Sequence, residues 1–209
     1  MSRKVFVFND HFGVGRCFQE NGWENVSTIE EADLGVLTGG EDISPALYGE
    51  EEHPRTYAGP SRDRIEVDFY KKCVELRKPM AGICRGAQLI NAMQGGKLFQ
   101  HVNNHGGRHE IIDFISKELV ETNSVHHQMM RPAKHGLIVA GLFNHATTRQ
   151  YMKDGESVDD GSGLDPEVIL YHDHAGKPSF LCFQAHPEFD HGGPTTKYFF
   201  HLLERELNL

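Results

Sequence analysis

Cys84, His186 and Glu188 are the residues whose types suit covalent acyl transfer. A thiolate attacks, an imidazole takes and returns a proton, and a carboxylate orients the imidazole. Cys84 stands in the run Lys78-Pro79-Met80-Ala81-Gly82-Ile83-Cys84-Arg85-Gly86-Ala87-Gln88-Leu89-Ile90-Asn91-Ala92-Met93. That run reads as a short buried strand, a sharp turn at Cys84, and a helix. Gly82 and Gly86 flank the Cys, and glycine permits both unusual backbone angles and close backbone approach. The helix N-terminus adds free N–H groups and a positive dipole end beside the thiol, which favours the thiolate. A lone buried Cys is normally an inert apolar residue, so a base and an orienting acid must come from elsewhere. His186-Pro187-Glu188 follows the apolar run Ser179-Phe180-Leu181-Cys182-Phe183-Gln184-Ala185. Two apart at a strand's end, ring and carboxylate are expected to point the same way. The order nucleophile, His, acid differs from the nucleophile, acid, His order of serine-type α/β-hydrolases.

The elements that must position these groups alternate in type. Residues 5–8 and 32–38 read as core strands, and residues 14–21 as a helix stopped by Gly22. The second strand runs into Gly39-Gly40, which is either a ligand-facing sheet edge or an ordinary turn. Ser61 is expected to cap a helix reaching about residue 77, with Ile65, Phe69, Cys73 and Leu76 on one face. Its charged opening, residues 61–66, reads as a solvated face. The Cys84 unit follows, and Gly95-Gly96 stops its helix. Strand–helix alternation predicts a three-layer α/β/α fold with a mainly parallel central sheet.

The second half is more polar. Residues 101–109 hold His101, His105 and His109. No helical His pair or Cys partner accompanies them, so a polar loop is expected rather than a metal site. Residues 111–120 read as strand. Thr122-Asn123-Ser124-Val125-His126-His127-Gln128 reads as a polar loop, either a substrate contact or a capped turn. Residues 136–143, 167–171 and 179–185 read as strands, and residues 154–165 as a mobile loop or insertion. Pro194 opens a last helix, with Tyr198, Phe199, Leu202, Leu203 and Leu207 on its buried stripe.

Composition bounds the function. The 209 residues suit one domain, residues 1–209, and 38% hydrophobic content suits a globular core. A formal net charge of −9 without any basic run argues against nucleic acid as the main partner. No apolar run could span a bilayer, and the opening run is too short for a secretory signal. The cysteines Cys17, Cys73, Cys84 and Cys182 lack the spacing of a disulfide framework or zinc site. A cytoplasmic location is expected, with no membrane partner.

The motifs resemble a known family. Gly82-Ile83-Cys84-Arg85-Gly86-Ala87-Gln88 together with Ala185-His186-Pro187-Glu188 is similar to the class I glutamine amidotransferase superfamily. Gly39-Gly40-Glu41-Asp42-Ile43-Ser44-Pro45, Tyr48-Gly49, Arg62-Asp63, Gly95-Gly96-Lys97-Leu98-Phe99-Gln100 and Asn123-Ser124-Val125-His126-His127-Gln128 resemble its γ-glutamyl hydrolase branch. That branch comprises peptidase C26-type enzymes, γ-glutamyl-GABA hydrolases among them. The resemblance implies that Cys84 attacks a γ-glutamyl amide, that His186 moves the proton and that Glu188 orients His186. It implies backbone N–H groups of Gly40 and Arg85 as the oxyanion hole, and Gln88, Ser124, Val125, His126 and His127 as substrate contacts. It implies a γ-glutamyl thioester, a small-molecule γ-glutamyl substrate, and neither metal nor cofactor. The alternative it leaves is a glutaminase subunit delivering ammonia to a separate synthetase or ligase partner. A non-enzymatic member of the wider fold is disfavoured, because Arg85 follows the Cys where such proteins often carry His, and the His186/Glu188 pair is intact. The chain is shorter than many members, and its acidic residues 154–165 bear on the leaving group.

Overall fold

The computed structural model describes residues 2–161, 163–172 and 179–209. Its strands are β1 Lys4–Phe8, β2 Glu24–Asn25, β3 Leu34–Leu37, β4 Met80–Ile83, β5 Lys97–Phe99, β6 His101–Asn103 and β7 Gly107–Asp113. They continue with β8 Leu119–Ser124, β9 Met129–Arg131, β10 Leu137–Phe143, β11 Thr148–Lys153, β12 Glu156–Asp159, β13 Leu164–Tyr171 and β14 Phe180–Phe183. The helices are α1 Val14–Glu20, α2 Pro60–Glu75, α3 Arg85–Met93 and α4 Pro194–Leu207.

A nine-stranded sheet runs in the order β2-β1-β3-β4-β14-β13-β10-β7-β8. Pairing is parallel from β2 through β14 and antiparallel beyond it. β3, β4 and β14 are buried along their whole length, as strands covered on both faces must be. Alternate residues feed two cores. Val36, Ala81, Ile83, Leu181 and Phe183 pack with Val14 and Phe18 of α1 and with Phe199, Leu202 and Leu203 of α4. Leu37, Met80, Phe180 and Cys182 pack with Phe69, Tyr70 and Cys73 of α2 and with Leu89 and Ile90 of α3. The two helix pairs therefore cover opposite faces, giving the three layers that the alternation of elements predicts.

Four expectations need correction. α2 starts at Pro60 with Gly59 as its cap, so Ser61 does not cap it; Pro at the first position loses only an N–H the helix leaves unpaired anyway. The opening of α2 is not a solvated face either: Asp63 and Glu66 are buried, whereas Ile65 is 46% and Leu76 37% exposed. The reason is Arg85, which lies buried beneath α2 and ion-pairs with both carboxylates. Residues 111–120 are not one strand but the end of β7, a turn over 114–118 and the start of β8, and the Asp113 carboxylate accepts from the Ile115 and Ser116 N–H groups of that turn. Residues 154–165 are not an irregular loop but the Asp154-Gly155 turn and β12 of a β11–β12 hairpin and the start of β13, with residue 162 outside the described residues. No helix among the described residues is long and apolar enough to cross a membrane.

Candidate active site

Cys84 closes β4 and opens α3 with φ 50° and ψ −107°. This is costly for a residue with a Cβ, typically about 1–3 kcal/mol, and is held only where the surroundings dictate it. The flanking glycines do the holding. A Cβ on Gly82 would lie 2.5 Å from the Ala87 nitrogen, and one on Gly86 would lie 2.6 Å from the Leu37 carbonyl carbon. Both serve close packing of α3 on β4 and β3, while the unusual backbone angle falls on the Cys itself. Arg85 is the first residue of α3, so its N–H is one of those that a helix leaves free.

His186 lies beyond the end of β14, and a 3₁₀ turn over Pro187–Phe189 follows it. The Glu188 carboxylate therefore meets the ring across a turn, rather than through the pleat of a strand as the spacing suggests. His186 Nδ1 lies 2.7 Å from Glu188 Oε1, so Nδ1–H donates and Nε2 is left to face the thiol. Burial alone would lower the His186 pKa; the Cys84 thiol and the Glu188 carboxylate outweigh it and raise it to about 10. The Phe189 ring stacks on the imidazole at 4.6 Å and 6°, which fixes its plane. Asn123 fixes its backbone: its Nδ2 donates to the His186 carbonyl at 2.7 Å, and its Oδ1 accepts from the His186 N–H at 2.8 Å. Gly39 underlies the ring, since a Cβ there would come 2.6 Å from His186 Cε1.

Cys84, His186, Gly40 and Val125 line one pocket of about 450 Å³. His11, Phe12, Phe189, Glu41 and Arg62 complete its wall, and residue types gave little signal for them beyond the Gly39–Pro45 motif and the Arg62-Asp63 pair. Arg62 is the organiser of the Gly39-Gly40 turn. Its guanidinium donates to the Gly39 carbonyl at 2.8 Å, to Glu41 at 3.0 Å and to Glu66 at 2.6 Å. Gly40 has φ +150°, and a Cβ on it would run into that guanidinium.

The expected substrate contacts are dispersed. Val125 is 64% exposed and on the pocket wall. Gln88 is buried, its Nε2 at 3.4 Å from both the Gln128 carbonyl and Gln184 Oε1. The Ser124 hydroxyl donates to the His105 carbonyl, and His126 Nδ1–H donates to the Gln128 carbonyl at 2.8 Å. His127 Nε2 lies 3.1 Å from the Asp42 carboxylate. Asn123 and Ser124 belong to β8, so the polar loop is shorter than its composition suggests.

Known proteins share sequence and fold with this chain. The Peptidase C26 family profile matches residues 19–114. The glutamine amidotransferase-like protein YvdE homolog of Lactococcus lactis subsp. cremoris is 37% identical over 136 residues, covering 54% of this chain and 72% of that protein. The chain belongs to the glutamine amidotransferase-like family. The gamma-glutamyl-CDP-amidate hydrolase of Campylobacter jejuni is 31% identical over 123 residues, or 59% of this chain and 56% of that relative's length. The solved structure of PurLQS from Thermotoga maritima superposes with a TM-score of 0.64 over 99% of this chain and 100% of that one, at 18% identity, a likeness of fold.

This amidotransferase-like chain carries a second cluster of titratable groups, outside the pocket. His105, His109, His126 and Glu167 are all buried and meet one another. Burial lowers the imidazoles, His105 and His126 to about 4, and raises the Glu167 carboxyl. Residues 101–109 read as a polar loop because only local spacing is visible in sequence. His126 and Glu167 enter from segments remote in the chain.

Proposed function

We propose that this chain is a cysteine-dependent hydrolase that cleaves a γ-glutamyl amide bond, in glutamine or a γ-glutamyl amine. The observation that carries the reading is the meeting in one pocket of Cys84, held at φ 50°, with His186, whose Nδ1 is bonded to the Glu188 carboxylate behind it. His186 Nε2, its pKa raised, holds the thiol proton as an imidazolium, and Cys84 Sγ attacks the γ-carbonyl carbon as the thiolate. The oxyanion forms against the N–H groups of Gly40 and Arg85. Its collapse expels the amine, which leaves with the proton from His186, and a γ-glutamyl thioester remains. Water, deprotonated by His186, then releases glutamate and restores the thiol. Glu188 keeps Nδ1 protonated and Nε2 aimed at sulfur throughout.

The name of the Campylobacter relative, gamma-glutamyl-CDP-amidate hydrolase, supports a γ-glutamyl conjugate as substrate. The apolar side chains Phe12, Val125 and Phe189 would border the leaving group. The whole chain, residues 1–209, works as one domain in this reading, in a reducing cytoplasm where Cys84 stays a thiol. The test is a panel of glutamine and γ-glutamyl amines, followed by glutamate and amine release. Turnover that Cys84→Ala abolishes, with its thermal melt unchanged, is expected. No release from any member by reduced, folded protein refutes hydrolysis by the chain alone. Ammonia release that appears only with a separate synthetase or ligase assigns the glutaminase-subunit role instead.

A further inference from the structure

We propose that His105, His109, His126 and Glu167 hold one zinc-type divalent cation, at a site separate from the Cys84 pocket. Glu167 Oε1 lies at the centre of the group. It is 2.6 Å from His105 Nε2, 3.7 Å from His126 Nε2 and 3.9 Å from His109 Nε2. One ligand atom each from His105, His109 and Glu167 fit within 4.8 Å of one another. Ligands at about 2.0–2.1 Å from a tetrahedral zinc stand about 3.3 Å apart, so small shifts suffice for His105, His109 and Glu167, and His126, its Nε2 3.7 Å from Glu167 Oε1, must swing in to complete the shell.

Apart from the bond that His105 Nε2–H donates to Glu167 Oε1, hydrogen bonding within the protein leaves the ligand atoms of this group unpaired. His126 Nδ1–H is committed to the Gln128 carbonyl, so its Nε2 presents a lone pair toward a carboxylate oxygen. Two acceptors facing each other in a buried site repel unless a cation lies between them. His105 Nδ1, both His109 nitrogens, His126 Nε2 and Glu167 Oε2 are buried without any hydrogen-bond partner. Among the described residues no Lys or Arg pairs with Glu167; nearby Arg149 is spent on Asp165. Three neutral imidazoles and one carboxylate are a zinc ligand set, and Asp165 Oδ2, 3.9 Å from His105 Nδ1, is placed to orient that ring from behind. With four protein ligands the site is closed and structural in kind. It would fasten the loop after β6, β7, the segment after β8, and β13 to one another, and so set the Asn123–Val125 stretch that grips His186 and walls the pocket.

The test uses the full chain carrying Cys84→Ala, which removes the thiol as a competing ligand, stripped of metal and then loaded with Zn²⁺ or Co²⁺. One equivalent retained through gel filtration, a raised melting temperature, and a tetrahedral Co²⁺ spectrum free of thiolate charge transfer are expected. Adding His109→Ala or Glu167→Gln should weaken Zn²⁺ binding at least 100-fold, while His201→Ala, on exposed α4 surface, should leave it unchanged. The cobalt measurement needs no substitution in the cluster, so a misfolded variant does not shelter the idea. No retained metal, or metal retained equally by the His109 and Glu167 variants, overturns it.

Discussion

Gly82→Ala isolates the packing that holds the nucleophile turn. The added methyl would lie 2.5 Å from the Ala87 nitrogen and from the Gly86 carbonyl oxygen, both main-chain atoms that cannot rotate away. Ordinary contact begins at 3.4 Å, so α3 and β4 must part by roughly 0.9 Å. Overpacking of this kind costs about 1–3 kcal/mol. The same movement carries the Arg85 N–H and the Cys84 backbone off their positions, and a misplacement near 1 Å costs about 100-fold in rate. The two effects are read separately. Urea unfolding should show the stability loss, and iodoacetamide labelling of Cys84 and γ-glutamyl turnover should show the rate loss in the fraction that remains folded. Gly106→Ala is the control, because nothing lies within 4 Å of a Cβ there; its stability should stay within about 0.5 kcal/mol of the parent. A Gly82→Ala protein with parental stability, labelling rate and turnover would refute the claim that close backbone approach shapes this site.

Other perturbations probe the surrounding groups. Glu188→Gln removes one of the two contacts that raise His186 to about 10, so the alkaline limb of the pH–turnover profile should move to lower pH. Its kcat should fall about 10²–10⁴-fold, and a profile that keeps its alkaline limb would deny Glu188 the orienting role. Arg85→Met leaves buried Asp63 without a guanidinium and Glu66 with Arg62 alone; a loss of about 3–5 kcal/mol is expected in urea titrations. Burial would raise the Asp113 carboxyl, but the Ser116 and Ile115 N–H groups, the Tyr198 hydroxyl and Arg205 outweigh it and lower its pKa. A lowered folded value means that this stabilisation is present above the unfolded carboxyl range, near 3.9, and is lost as pH falls through the folded value. Acid unfolding curves should therefore flatten in Asp113→Asn, and an unchanged slope would count against that assignment.

The parallel half of the fold was legible because its strands are short, wholly apolar and punctuated by glycine. Cys84 was legible for a related reason, since two glycines about a Cys at a strand–helix junction have few uses besides close packing. What escaped local reading is pairing between distant segments. Asp63 and Glu66 look like surface charge until Arg85, 22 and 19 residues further on, is placed beneath them. Residues 107–124 divide into two strands because Asp113 caps the turn between them, a role that apolar periodicity does not encode. The same holds for the histidines. A search for ligand pairs on a helix passes over His105 and His109, whose companions sit after β8 and in β13.

The two halves of the sheet have a direct mechanical connection, and it bears on what the pocket can recognise. The groups proposed as catalytic come from the parallel half, at the ends of β4 and β14. The histidine cluster belongs to the antiparallel half, where pairing reverses at β13. Three successive residues join them: Asn123 grips both backbone groups of His186, Ser124 donates to the His105 carbonyl, and Val125 enters the pocket wall. Neither Asn123 nor Ser124 can turn toward a ligand without giving up these buried bonds, each worth about 1 kcal/mol or more. That argues for substrate recognition through Arg62, Glu41, the aromatic rim and the backbone, with residues 123–126 acting as a frame. A variant series along this frame should therefore change stability and the alignment of His186, seen as falling kcat, before it changes the KM for any γ-glutamyl substrate.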